Sequence, residues 1–228
     1  EPGKDVFNPV LAKQTLSKAG TVIALSSYDS DELREVADVI LPVAPYTETS
    51  GTYINMEGVS QSVQAAVRPL GDTRPAWKVM RVLGNLLNLD GFYFDSSEEV
   101  FSEATAKCIS LDNSSFTSPA ITTIYSAAIE RLTDLPIYSS DAIVRRAASL
   151  QVTADAKRGN RIGLSSQLFS QLGLQEGASV KVTQDGVSVI AVATQESFLH
   201  AGVVRISAGT AIRAQLGAGN GLLTVERA

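Results

Sequence analysis

One stretch of the chain combines glycines with polar side chains at a spacing that could hold a ligand: residues 49–58, Thr-Ser-Gly-Thr-Tyr-Ile-Asn-Met-Glu-Gly. Its two glycines lie seven residues apart and bracket an alternation of apolar and polar residues. This pattern predicts a turn, a short extended segment and a second turn, whose backbone would fix nearby hydroxyl and amide groups. The candidate cofactor-binding residues are therefore Thr49, Gly51, Thr52 and Asn55.

The side chains that usually ligate metals or act as nucleophiles are scarce. Cys108 is the one cysteine and His200 the one histidine among 228 residues. One of each is too few for an iron–sulfur cluster, a cysteine–histidine zinc site or a disulfide within the chain. We expect Cys108 to be a small core residue and His200 to lie on the surface. We predict no catalytic residue and no metal ligand.

The composition is that of a folded chain with one large domain or two smaller ones, since 44% of its residues are apolar and 19% are charged. A net charge of -5 argues against a nucleic-acid partner, which requires a basic surface. No apolar run approaches the ~18 residues of a membrane span, so we predict no direct membrane insertion. The sequence starts Glu-Pro-Gly without an initiator methionine, and we expect it to be a piece of a longer protein.

The first part, residues 1–95, reads as the tail of a parallel α/β domain. Asn8-Pro9 predicts a helix start, and apolar runs at 21–26 and 39–41 predict two buried strands joined by a short helix. Apolar residues recur at spacings of three and four over 75–87, which predicts an amphipathic helix with Trp77 in the core.

The second part, residues 96–156, is predicted to be a helical connection, with helices at 97–107, 119–132 and 142–148. Two adjacent arginines, Arg145 and Arg146, fall on the last of these helices. They could hold an anionic group, but we expect them to be solvated or to form surface ion pairs.

The third part, residues 157–228, changes to strand signals with tight turns. Asp185-Gly186 predicts a two-residue hairpin turn. A pattern of strand, short helix and strand recurs 44 residues later, which predicts two units related by a pseudo-twofold axis in a small closed double-psi barrel. The recurring positions are Arg161, Leu168, Gly173 and Gly177, followed by Arg205, Ile212, Gly217 and Gly221. The glycine-rich run 217–221 follows a helix, so a C-cap is a better interpretation than a phosphate cradle.

Three motifs occur in a fixed order: Ala-Asp-Val-Ile-Leu-Pro at 37–42, Glu-Thr-Ser-Gly-Thr-Tyr-Ile-Asn-Met-Glu-Gly at 48–58, and Pro-Leu-Gly-Asp-Thr at 69–73 with Trp77. This order resembles the C-terminal half of the molybdopterin oxidoreductase superfamily. The run Asp-Ala-Ile-Val-Arg-Arg-Ala at 141–147, followed by Leu150-Gln151, is most similar to the large iron–sulfur subunits of bacterial NADH:quinone oxidoreductase, respiratory complex I.

The resemblance implies a scaffold within a respiratory complex. It implies that the iron–sulfur clusters lie in an N-terminal part that precedes this chain, that no cofactor is held here, and that the partners are other subunits of the complex. It implies a cytoplasmic location on the inner face of the plasma membrane. Val59 stands where the superfamily usually has arginine, and residues 207–223 hold one arginine, Arg213, among small and apolar residues. We therefore expect the cofactor site, including the four candidate residues above, to be vestigial.

Two other functions stay open from the sequence. The chain could be the cofactor-binding C-terminal part of a molybdenum oxidoreductase of the formate dehydrogenase or nitrate reductase type. Residues 157–228 alone also fit a free-standing barrel that binds protein or DNA, although the acidic balance makes DNA a poor partner.

Overall fold

The computed structural model describes residues 1–108 and 128–228. They form two compact units, each described here by itself. The α/β unit comprises the described residues from Thr21 to Cys108, and the barrel unit comprises Glu1–Gly20 with the described residues from Ala128 onward.

The α/β unit begins with the predicted strand–helix–strand arrangement. Strand β1 (Ile23–Ser26) pairs in parallel with β2 (Val39–Pro42), and helix α2 (Asp31–Arg34) connects them. The Asp38 carboxylate accepts a hydrogen bond of 2.7 Å from the backbone N–H of Val22. This aspartate of the 37–42 motif therefore fixes the position at which the two strands begin to pair.

An antiparallel hairpin follows, formed by β3 (Gly51–Ile54) and β4 (Ser60–Val63), after a 3-10 turn at Tyr46–Glu48. Gly58 closes the hairpin with φ +81°, a backbone conformation that residues with a side chain rarely adopt. The predicted extended segment and second turn of 49–58 are confirmed, whereas the first turn lies earlier, at Tyr46–Glu48, and Gly51 opens β3.

Two longer helices complete this unit, α3 (Ala76–Leu86) and α4 (Ser97–Lys107). The predicted core helix is less buried than expected, because Trp77 is only half-buried and Leu86 is 73% exposed within the described chain. Gly84 is buried against the ring of Phe92, so the loop that carries Phe92 packs onto this helix. The expectation that Cys108 is a core residue is wrong: it follows the end of α4 and is exposed.

The barrel unit carries short helices around its strands. Their bounds are α1 (Pro9–Leu16), α5 (Ile137–Ser140), α6 (Ala148–Gln151) and α7 (Ala154–Gly159), with a 3-10 turn at Val144–Arg146. The single helix predicted over 142–148 is absent, because the Asp141 carboxylate accepts from the N–H groups of Ile143 and Val144 and shapes a turn there. Arg145, expected to be solvated or in a surface ion pair, forms an ion pair: it donates two hydrogen bonds of 2.8 and 2.9 Å to Asp5. Its side chain is more buried than a surface position implies, at 8% exposed.

Six strands close the barrel in the order β10–β5–β9–β6–β8–β7. The remaining elements are β5 (Ile129–Leu132), β6 (Ile162–Leu164), α8 (Ser166–Gln171), β7 (Ser179–Gln184), β8 (Val187–Gln195), β9 (Val203–Arg205), α9 (Ala211–Gln215) and β10 (Leu222–Arg227). Strand β5 lies where we predicted the end of a helix, inside the predicted connection 96–156. The earlier part of that predicted helix, residues 119–127, lies outside the described residues.

The strand pairings obey a twofold relation in which β5, β6 and β7 correspond to β8, β9 and β10. The parallel pair β5–β9 matches the parallel pair β8–β6, and the antiparallel pair β5–β10 matches β8–β7. The two remaining pairs, β6–β9 and β7–β10, map onto themselves. Each half thus inserts a strand into the other, and the predicted double-psi barrel is confirmed.

The core of the barrel is apolar and closely packed. Fully buried aliphatic side chains from both halves fill it, including Ile162, Leu164, Val180, Val182 and Val204. At the predicted hairpin turn, Asp185 and Gly186 both have positive φ, as a two-residue turn between twisted strands requires.

Candidate functional site

Hydrogen bonds made by residues in or next to the three sequence motifs join the motifs in the α/β unit. The carboxylate of Glu48 accepts from the N–H of Leu70 at 3.0 Å, and so joins the second motif to the third. The N–H of Ala44 donates to the carbonyl oxygen of Arg74 at 2.9 Å, which places the third motif beside the end of β2. The ordered spacing of the motifs is therefore explained by contacts among them.

Ser50 connects the hairpin to the segment that follows it. Its hydroxyl donates to Gln64 Oε1 and accepts from the N–H of Ala65, both at 3.0 Å. The amide of Gln64 in turn donates to Glu98 at the start of α4, at 3.5 Å. No local sequence pattern predicts the role of Gln64, because its partners are 14 and 34 residues away.

A cavity of about 500 Å³ lies beside these residues. Its charged lining contains three cations and three carboxylates: Arg68, Arg74, Lys78, Glu48, Asp95 and Glu98. The Lys78 ammonium lies 5.2 Å from the centre of the Trp77 ring. The pKa of Glu98 is lowered because its own N–H and the hydroxyl of Ser97 donate to the carboxylate. Among the described residues, the cavity lining holds neither a cysteine nor a histidine.

The four candidate cofactor-binding residues lie on or next to the hairpin, and three of them use their side chains within the α/β unit. The Thr49 hydroxyl donates to the carbonyl of Ala44 at 3.3 Å, and the Thr52 hydroxyl lies 2.9 Å from that of Ser62. The Asn55 side-chain oxygen accepts from the N–H groups of Glu57 and Val59, at 3.0 and 2.9 Å. Gly51 opens β3, with no atom within 4 Å of the position that a Cβ would take.

These residues do not form a cradle for a molybdopterin dinucleotide, the cofactor that the resemblance suggests. The side chains of Thr49, Thr52 and Asn55 hold loops and strands in place rather than converging on a cavity. Val59 is 50% exposed and presents an apolar group where an arginine would grip phosphate. The described residues also contain no group of three or more histidine, cysteine, aspartate or glutamate side chains able to hold a metal ion.

Comparison with known proteins finds a family similarity in the first part of the chain. Residues 5–86 match the family model of molybdopterin oxidoreductases. This range includes all three motifs and the four candidate residues.

Curated relatives fall into two groups. The chain is 54% identical over 52 residues to the mitochondrial NADH-ubiquinone oxidoreductase 78 kDa subunit of Candida albicans, a match that covers 23% of this chain and 7% of that protein. It is 37% identical over 78 residues to the 75 kDa subunit of Reclinomonas americana, which covers 34% and 11%. A putative formate dehydrogenase of Staphylococcus aureus is 42% identical over 62 residues, which covers 27% and 6%. The matched region thus spans about a tenth or less of the length of these relatives.

Among solved structures, acetylene hydratase from Pelobacter acetylenicus has a similar fold, with a TM-score of 0.69 and 14% identity. The match covers 97% of this chain and 42% of that one. Residues 5–86 are thus similar to a molybdopterin oxidoreductase domain. The chain is also similar, over 52 to 78 residues, to NADH-ubiquinone oxidoreductase 75 and 78 kDa subunits and to a putative formate dehydrogenase.

Proposed function

We propose that this chain is a non-catalytic structural and assembly region of a respiratory NADH:quinone oxidoreductase subunit, whose full-length form carries iron–sulfur clusters for electron transfer. The observation that carries the proposal is the use of Thr49, Thr52 and Asn55 as hydrogen-bonding supports of their own hairpin. A cofactor site would need these groups to be directed at a ligand. The matches to the 75 and 78 kDa subunits support the assignment to this type of complex.

Exposed apolar side chains support a role in assembly. Met56 at the hairpin tip is fully exposed, and Leu86 and Leu87 are 73% and 67% exposed at the end of α3. Apolar groups gathered on such surfaces are typical of protein–protein contacts. In the proposed complex, other subunits would cover them.

We place the complex on the cytoplasmic side of the plasma membrane, with this region attached through its partner subunits. Across the described ranges 1–108 and 128–228, no helix has both the length and the apolar character needed to cross a bilayer.

The alternative function is the cofactor-binding C-terminal part of a molybdenum oxidoreductase, which the 42% identity to a putative formate dehydrogenase favours. In that case the hairpin hydrogen bonds would rearrange when the cofactor binds, and Thr49, Gly51, Thr52 and Asn55 would contact it.

Metal and pterin analysis of the purified full-length protein distinguishes the two functions. We expect iron and acid-labile sulfide, with neither molybdenum nor tungsten and no fluorescent oxidised pterin after extraction. Stoichiometric molybdenum or tungsten together with a pterin would overturn the proposal. As a control for the alternative, Asn55→Ala in the full-length protein should then lower both the pterin content and formate-dependent dye reduction.

A further inference from the structure

The barrel unit contains two buried arginines that have no carboxylate partner among the described residues. Arg131 on β5 is 5% exposed and Arg213 on α9 is 4% exposed. Neither takes part in an ion pair in the described parts of the chain. Buried charges are normally paired, because removing a lone charge from water costs several kcal/mol.

The guanidinium of Arg131 makes hydrogen bonds through Nη1, on one of its edges. Its Nη1 donates to Gln184 Oε1 at 3.0 Å and to the carbonyl of Ala218 at 2.8 Å. Its Nε and Nη2 atoms are buried and find no hydrogen-bond partner within residues 1–108 and 128–228. Elsewhere in this chain, the same two atoms of Arg34 grip both oxygens of Asp29. The unused edge of Arg131 is thus the edge that binds an oxyanion with two parallel hydrogen bonds.

Arg213 is also held by one nitrogen only. Its Nη2 donates to the carbonyl of Phe7, and its Nε and Nη1 atoms are buried without a partner in the part of the chain that the structure describes. The N–H of Arg213 donates to Thr210, which caps α9, as the N–H of Leu168 donates to Ser165 at the start of α8. Counted from these caps, Leu168 holds in the first half the place of Arg213, whereas the 44-residue repeat aligns Arg213 with Phe169, which is also buried and apolar. Since Leu168 is also buried, the fold does not require a cation at this position.

The pKa shifts of Arg131 and Arg213 indicate that an anion beside them would be bound favourably. Burial, and secondly the charge of Arg213, lower the pKa of Arg131 to about 10. Burial also lowers the pKa of Arg213. Asp5 lines the same cavity, but its carboxylate is engaged by Arg145.

Both arginines line one cavity of about 610 Å³, a size that suits a small organic ligand. Much of the remaining lining is apolar and comes from the segment before α1, the end of β5 with the loop after it, and the segment after β9. These apolar residues are Val6, Phe7, Leu132, Leu135 and Ala208. The cavity thus combines a cationic end with an apolar wall.

We propose that this cavity binds a small organic oxyanion, with a phosphate or carboxylate group on Arg131 and Arg213 and a compact apolar body against Phe7 and Leu135. The proposal does not depend on the function proposed above, because the cavity lies in the barrel unit and uses none of the hairpin residues.

Isothermal titration of the full chain tests the site, with ionic strength held constant by chloride. The probes are inorganic phosphate, phenyl phosphate and benzoate. We expect saturable binding at one site, tighter for one of the two aromatic anions than for inorganic phosphate. A preference for phenyl phosphate assigns a phosphate ligand, and a preference for benzoate assigns a carboxylate.

Substitutions locate the site. Arg131→Met and Arg213→Leu should each weaken binding roughly 10–100-fold, since each removes charge-assisted hydrogen bonds. Arg213→Leu copies the residue of the other half, so it should keep the fold, and circular dichroism checks this. Arg34→Met in the α/β unit is the matched control and should leave affinity unchanged. Equal response to every anion including chloride, or unchanged binding in Arg213→Leu, would show a non-specific ion effect and overturn the proposal.

Discussion

The barrel unit buries arginines in two different ways. Arg205 on β9, which is 2% exposed, is paired with a carboxylate from its own chain. Arg131 and Arg213 are nearly as buried but meet only carbonyl and amide groups. The first arrangement is complete within the described chain, and the second leaves hydrogen-bonding atoms unused.

The Arg205 network is built into the barrel. Its Nε lies 3.0 and 2.9 Å from the two oxygens of Glu196, and its Nη1 donates to Ser207. Gly163 leaves room for this pair, since a Cβ there would lie 2.6 Å from Glu196 Oε2. Burial raises the pKa of Glu196, but hydrogen bonds from Arg158 and Arg205 and their charges outweigh burial and lower it overall.

The presence or absence of a carboxylate partner distinguishes a structural ion pair, that of Arg205, from a binding site, that of Arg131 and Arg213. A buried cation that serves the fold is matched by a carboxylate and by a glycine that makes space for it. The two unmatched arginines face a cavity instead, which is why we assign them to a ligand that comes from solution.

Breaking the complete pair should have the largest effect. Glu196→Gln leaves the buried Arg205 with only the more distant carboxylate of Asp134, 3.6 Å from its Nη1, so we expect the barrel unit to lose about 3–5 kcal/mol of unfolding free energy. Urea denaturation measures this. Glu226→Gln, which removes an exposed partner of Lys181, is the control and should change stability by less than ~1 kcal/mol. Similar small changes in both variants would contradict the structural role of the pair.

Removing an arginine that has no carboxylate partner should leave the stability of the barrel unit unchanged or raise it, in contrast to Glu196→Gln. Without added oxyanion, Arg131→Met replaces an uncompensated charge with an apolar side chain, and we expect stability to be unchanged or raised by up to ~4 kcal/mol. The same urea titration measures it. Destabilisation as large as that of Glu196→Gln would mean that Arg131 serves the fold.

Acid should weaken the stabilising contribution of the Glu196–Arg205 ion pair. The pKa of Glu196 in the folded chain lies below its ordinary value of 4.5. Its stabilising contribution is therefore fully present above about pH 4.5 and is lost as the pH falls through the lowered value. We expect the stability difference between the wild-type chain and Glu196→Gln to shrink over that range. A difference that stays constant down to pH 2 would show that the carboxylate charge is not what stabilises the barrel.

The smallest effect is expected outside the barrel. Asn55→Ala removes the acceptor of two hydrogen bonds at the hairpin tip, each worth about 1 kcal/mol. We expect faster amide exchange over residues 51–63 and an unchanged barrel. Hydrogen-exchange mass spectrometry measures both, and Gln61→Ala, at an exposed position of β4, is the control. Protection lost throughout the α/β unit would show that the hairpin supports more than itself.

The sequence predicted those parts of the fold that depend on local chemistry. Asp185-Gly186 adopts the positive φ angles of its turn, and the repeat after Arg161 predicted the twofold barrel. Strand β5 was missed because Ile-Glu-Arg-Leu at 129–132 has no turn residue directly before it and continues a helix-like pattern. The twofold relation would have required it, since β8 in the other half needs a counterpart.

The candidate site was predicted only in part. Motif spacing located the hairpin, but the engagement of Thr52 and Asn55 with their own strands is visible only in three dimensions. Arg131 and Arg213 are 82 residues apart, and no local pattern joins them. Their common cavity arises from the closure of the barrel.

The most direct test of the central claim is a crystal structure of the full chain grown with selenate, whose selenium is located by anomalous diffraction. We expect one strong peak in the cavity, with selenate oxygens ~3 Å from Nε and Nη2 of Arg131 and a further contact to Arg213. A cavity without an anomalous peak, in which a carboxylate of the chain itself caps the edge of Arg131, would contradict the account.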